Sequence, residues 1–407
     1  MKHRPKGKRT AKKKSTDFSL YSKYTKGLSV ALAYGFTFIT TPKITDEDTR
    51  AAKGIKESKL PGEERLFVPH PEEKLALLRT YRENAMQAWQ QPVMLYYEGR
   101  IEREKGHRDP KERRYNIEII GTQRSIAEAI IIQTAIAILK ESGFTDLSVQ
   151  LNSFGDRESL ARYTRELTNY FRAHIEELPA SCRHTFRKNV FDLLSCSHEK
   201  CKELKIGAPH AINYLSEISR THFKELLEYL ESSQVAYSIN DGLLSDKEYC
   251  SHTIFEILGR EKDEEPKALA LGIRYNALSK RAGLKKEVGA AGMTICFKKK
   301  DAEKAVAKKI KTPRFYFIQM GDEAKHRSLS LIEMLRDAGI RISHNITRDK
   351  LGAQLSHAEN MSISHLIIMG QKEFYENVVL IRRVSDRSQD TIQMADLISH
   401  LKKLELK

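Results

Sequence analysis

At 407 residues the chain can hold two or three domains, each with its own core. Its 40% hydrophobic content excludes a disordered polymer. No apolar run approaches the ~18 residues a membrane helix needs, and no signal-like core follows the basic N-terminus, so a cytoplasmic protein is expected. The formal charge of +16 and a pI near 9.4 predict a polyanionic partner, nucleic acid before any other.

In chain order, residues 1–16 read as a basic, disordered arm. Lys or Arg fills more than half of Met1 to Lys14, with no apolar cluster. Tracking phosphates and simple solubilisation are both open roles for it. Residues 17–155 then read as the first part of a core. Leu28, Val30, Ala31, Leu32 and Ala33 form a helical patch that runs into a strand ending at Thr41-Pro42. The segment from Asp46 to Glu63 is charged and poor in apolar residues, which predicts a loop. Val68-Pro69-His70-Pro71-Glu72 follows, and then a helix expected from Lys74 to Gln90.

Val93 to Tyr97 has strand length and composition, and Tyr115 to Gly121 alternates as a second strand. The loop between them is dense in cations: Arg100, Arg103, Lys105, Arg108, Lys111, Arg113 and Arg114. Such a hairpin offers guanidinium forks to an anion. Glu118 faces inward from the closing strand.

Ser125 to Ser142 predicts a strongly apolar helix. Leu147 to Leu151 predicts a strand, ending in Asn152-Ser153-Phe154-Gly155. Residues 156–234 read as a helical insertion, with Leu160, Tyr163, Leu167, Tyr170 and Phe171 at helical spacing. It holds Cys182, His184, Cys196, His198 and Cys201. The Cys-x4-Cys spacing is looser than a zinc ribbon's and no Cys-x-x-Cys pair exists, so reduced thiols without metal are expected. Residues 235–300 return to the core, 301–312 form a basic linker, and 313–407 show strands alternating with helices.

The hairpin around Glu118 resembles motif 2 of class II aminoacyl-tRNA synthetases in its histidyl form. There a Tyr-x-Gly run leads to an Arg, a loop, and a strand with Glu before Ile-Gly. The strand ending at Thr41-Pro42 is similar to motif 1, and His70-Pro71-Glu72 to the histidine-contacting Arg-Pro-Glu-Gly-Thr. Thr253-Ile254-Phe255-Glu256 and Gly272-Ile273-Arg274-Tyr275 resemble two histidine-binding segments. Lys350-Leu351, Gln354, Gly370 and Glu373 resemble the anticodon-binding module of the class.

The resemblance implies an α+β class II core with an antiparallel sheet and helical insertion, plus a C-terminal α/β anticodon-binding-like domain. It implies ATP and substrate contacts at Glu72, Arg103, Glu118, Arg274 and Tyr275. RNA contacts are expected at Arg108, Lys111, Arg113, Arg114, Lys350 and Gln354, with a homodimer formed through motif 1. The chain departs from the pattern at catalytic positions. Glu73 and Lys74 replace Gly-Thr, Ser245 replaces the Arg that acts on the reacting carboxylate, Ile273 replaces a Gly, and Cys296 replaces the motif 3 Arg.

Adenylate formation relies on donors aimed at charge developing on phosphate, and losing one typically costs about 10²–10³ in rate. The expectation is a synthetase-like protein that binds tRNA or other RNA, or regulates, without activating histidine. No cofactor is then needed; ATP and Mg²⁺ enter only with retained activity. A divergent active histidine–tRNA ligase is the first alternative. A regulatory subunit like that of ATP phosphoribosyltransferase is the second.

Overall fold

The computed structural model describes residues 25–55, 70–102, 112–244, 249–261, 264–298, 313–359, 361 and 363–406. The basic arm, Arg103, Arg108, Lys111, Ser245 and the linker lie outside them. Helix α1 (Lys26–Ala33) starts at Thr25, whose hydroxyl accepts from the Leu28 amide. It leads to the two-residue strand β1 (Thr37–Phe38).

The next element corrects the sequence expectation of a loop: Asp46–Ala52 is a helix, α2. Local capping explains it, since the Asp48 carboxylate accepts from the backbone and hydroxyl of Thr45 at 2.7 and 2.8 Å. Asp48 is also only 1% exposed and receives Arg79 at 3.0 Å, so an ion pair replaces the missing apolar stripe. Helix α3 spans Pro71–Glu83 rather than starting at Lys74 and ending at Gln90. Proline is preorganised for the first helical position, which moves the start forward. Asn84 closes the helix, and Ala85, at φ 50° in the left-handed region, turns the chain away.

Strands β2 (Val93–Glu98) and β3 (Glu112–Ile120) form the expected hairpin. Helix α4 (Ile126–Glu141) is buried all round from Ile126 to Leu139, as its apolar residues on every side require, with Glu128, Gln133 and Thr134 as buried polar exceptions. Strand β4 (Thr145–Gly155) is followed by α5 (Arg157–Ala173), α6 (Ala180–Lys188), α7 (Glu199–Ile206) and α8 (Glu217–Ser232). The chain returns through β5 (Tyr237–Ile239), β6 (Ser251–Arg260), β7 (Lys267–Arg274), the short α9 (Leu278–Arg281) and β8 (Ala290–Lys298).

Among the described residues these strands make one eight-stranded sheet, ordered β1-β2-β3-β8-β7-β6-β4-β5. The six inner strands pair antiparallel, and β1 and β5 add parallel at the two edges. Helix α4 packs on one face with α1 and α8, around Ile117, Ile119, Met293 and Ile295. The opposite face carries the candidate site.

The C-terminal part runs β9 (Phe315–Gln319), α10 (Asp322–Asp337), β10 (Ile342–His344), α11 (Leu351–Glu359), β11 (His365–Met369), α12 (Gln371–Tyr375), β12 (Val378–Arg383), β13 (Gln389–Gln393) and α13 (Leu397–Glu405). Its sheet is ordered β10-β9-β11-β12-β13, parallel up to β11 and antiparallel beyond. Strand β13 has no counterpart in the sequence reading. Its QDTIQ has one apolar residue, and it forms as an exposed edge paired to β12. Interdomain bonds include Arg336 to Glu141 at 3.1 Å and Arg348 Nε to the Gln91 carbonyl at 2.6 Å.

Candidate functional site

Strand alternation puts every second residue of β3 and β8 on the same face. Their antiparallel register places Glu118 opposite Gly292, Asn116 opposite Thr294, and Arg114 opposite Cys296. These three layers form the floor of the site. Leu271 and Ile273 extend it from β7, facing Thr294 and Gly292.

Glu118 is the centre. It is fully buried, and its two oxygens are shared among three neighbours. Tyr275 donates to Oε2 at 2.7 Å, Tyr97 reaches Oε1 at 3.4 Å, and Lys74 Nζ lies 2.5 Å from Oε1. Lys74 is itself 2% exposed, and its ammonium sits 5.0 Å from the centroid of the Tyr275 ring. Burial raises the Glu118 pKa, and the Lys74 charge with the tyrosine hydroxyls only partly offsets that. Burial and the facing carboxylate likewise hold the Tyr97 and Tyr275 hydroxyls protonated, so both donate.

Space for the carboxylate comes from a glycine. A Cβ built on Gly292 would meet Glu118 Oε2 at 1.6 Å. Sequence reading aligned Gly292 with motif 3 but assigned it no role. Tyr97, expected as a strand residue within the Tyr-x-Gly run, lies two residues beyond Leu95 on an alternating strand and so shares its face.

Around this centre, Glu73 is buried and its carboxyl is raised by that burial, with Arg100 3.9 Å away. Glu72 is half-buried in the first turn of α3. Cys296 is 2% exposed, and burial pushes its thiol up to about 11, leaving it neutral where the resemblance expects a guanidinium.

Several predicted residues stand elsewhere than expected. Arg274 is on the other face of the sheet, because β7 alternates and Ile273 takes the site side. It is fully buried against α4, binding Glu128 through Nε at 2.7 Å and Nη2 at 2.5 Å, and the carbonyls of Thr122 and Arg124. Burial alone would raise the Glu128 pKa, but Arg274 and His222 outweigh it and hold the carboxyl below its usual range.

Arg114, expected to meet RNA, is 6% exposed and points into the site beside Cys296. The same alternation is the reason. Arg113 is half-buried and bonds the Glu112 carbonyl at 3.1 Å. Gln354, also expected at an RNA surface, is fully buried. Its amide accepts from the Gln319 backbone at 3.1 Å and donates back at 2.7 Å, mimicking a strand partner. Lys350 is exposed.

Residues 314–404 match the anticodon binding domain family. The histidine–tRNA ligase of Fervidobacterium nodosum is 31% identical over 340 residues, covering 82% of this chain and 80% of that protein. The histidine–tRNA ligase of Bacillus licheniformis is 29% identical over the same length, with the same coverage of each chain. The crystal structure of apo histidyl-tRNA synthetase from S. aureus aligns with 91% of this chain and 92% of its own, at 21% identity and a TM-score of 0.48.

Proposed function

This chain belongs to the histidine–tRNA ligase family, with a mixed α+β class II core and a C-terminal anticodon-binding domain, and we propose that it is an RNA-binding synthetase relative that no longer activates histidine. One observation carries this reading. Lys74, standing where the family pattern has a threonine that contacts the substrate, places its ammonium on Glu118, the buried carboxylate of the site. A free amino acid would have to displace an internal cation from a partner at 2.5 Å, in an environment where an unpaired charge is costly.

Three replacements support the same conclusion. Ile273 brings a branched side chain to the floor where the pattern has glycine. Cys296 offers a neutral thiol instead of a guanidinium fork. Ser245 stands at the position of the other catalytic arginine. Arg274 cannot substitute for either, being committed to Glu128 on the far face of the sheet.

RNA binding is supported by the anticodon-binding domain and by the net charge of +16. Arg157, Arg165 and Arg172, spaced for one helix face, line a shallow groove of about 620 Å³ along α5. Dimerisation through the segment ending at Thr41-Pro42, as the family pattern implies, would double this basic surface.

The test is histidine-dependent ATP–pyrophosphate exchange on the purified chain beside an intact histidyl-tRNA synthetase, with tRNA binding measured in parallel across salt concentrations. The expected result is no exchange and salt-sensitive tRNA binding. Exchange within about three orders of magnitude of the control, the cost of a single lost donor, would make the protein a divergent active ligase instead.

A further inference from the structure

Separate from the synthetase-like site, and independent of any reading of it, the helical insertion gathers three of the chain's five cysteines. Cys182 lies in α6, Cys196 follows the turn after Val190–Leu193, and Cys201 lies in α7. Their sulfur atoms all fall within 4.8 Å of one another. Cys182 and Cys201 are buried, Cys196 is half-buried, and none is in a disulfide. The loose sequence spacing argued against a metal. In the fold, the short helix between Cys182 and Cys196 turns the chain back, so separation along the sequence says little about separation in space.

The geometry points to a three-thiolate site for a zinc-class divalent cation, formed by Cys182, Cys196 and Cys201. Zinc–sulfur bonds of about 2.3 Å at tetrahedral angles place neighbouring sulfurs about 3.8 Å apart. The Cys182 and Cys196 sulfurs are 3.6 Å apart, and Cys201 touches both. Among the described residues no fourth His, Cys, Asp or Glu joins the cluster. The fourth position is left to water.

Such an ion has a physical task here. Helices α6 and α7 have nine and eight residues, short of what holds a helix alone in water. Cys182 and Cys201 belong to one buried apolar cluster with Leu193, Leu204 and Ala208, and Cys196 packs against it. A metal bound by one ligand from each segment would tie α6, the intervening turn and α7 into one unit, and its binding energy would become folding energy.

The experiment uses the full chain purified without chelator. About one zinc per chain is expected by elemental analysis. After metal removal under reducing conditions, the apo protein should take up Co²⁺ with thiolate-to-cobalt charge-transfer absorption and the intense visible bands of tetrahedral coordination. Cys196→Ser and Cys201→Ser should each lose the metal, while Cys250→Ser, outside the cluster, should keep it. A zinc-free protein whose reduced form takes no Co²⁺ would overturn the assignment. So would a Cys182–Cys196 disulfide in the protein as purified. Where a serine variant does not fold, Co²⁺ uptake by the unmodified chain decides alone.

Discussion

Arg274 and Glu128 meet as a two-pronged pair with neither side chain exposed, tying β7 to the central helix α4. His222 of α8 donates its Nε2–H to the same carboxylate at 2.9 Å, so three layers converge on one charge. Removing one partner of a buried pair leaves the other uncompensated, at a cost of about 3–5 kcal/mol. Arg274→Met should therefore destabilise the fold by that amount, read as a lower urea midpoint. An unchanged midpoint would mean the guanidinium is not needed by the fold and is free for another role.

The Lys74–Glu118 pair yields a double-mutant cycle. Lys74→Met alone should be strongly destabilising, because it strands a buried carboxylate against Tyr275 and Tyr97. Lys74→Met with Glu118→Gln should recover much of the loss, giving a coupling of about 1–3 kcal/mol. Additive losses would show that the two side chains do not interact in solution.

Lys74→Thr introduces the residue type that the motif resemblance leads one to expect there and removes the internal cation from the site. The variant should gain a measurable thermal shift with millimolar histidine or imidazole that the unaltered protein lacks. Equal responses from both proteins would mean that Lys74 does not obstruct the site.

Gly292→Ala probes the closest approach in the site, since its methyl group would overlap Glu118 Oε2. The carboxylate can move only by leaving Tyr275 or Lys74. A loss of about 1–3 kcal/mol is expected from overpacking, against well under 1 kcal/mol at a solvent-facing glycine such as Gly352.

His344 predicts a pH dependence. It is buried where β10 packs near Gly35, and burial, helped by the charge of His357, lowers its pKa from 6.5 to about 4. A depressed histidine favours the fold while neutral. Its contribution is complete above pH 6.5 and is lost as pH falls toward 4, roughly 3 kcal/mol in all. The urea midpoint should fall between pH 7 and 5, and His344→Gln should flatten that fall. An equally steep fall in the variant would assign the effect to other groups.

Periodicity and motif spacing carried much of the fold. The strong apolarity of Ile126–Leu139 pointed to a buried helix, and the strand patterns of β2 and β3 to the hairpin. Two elements escaped because their stability is not in their apolar pattern. Helix α2 rests on the Thr45 cap and the pairing of Asp48 with Arg79, and β13 rests on hydrogen bonds lent by β12.

The sequence alone supplied Glu118 on an inward strand, and a motif resemblance from which serine and cysteine were expected at two arginine positions. Only the tertiary structure decided where their neighbours point. A one-residue step along a strand reverses the face, so Arg274 went to the helix layer while Ile273 and Arg114 went to the site. Partners far apart in sequence, Lys74 with Glu118 and Cys182 with Cys201, met because separate elements carried them to the same place.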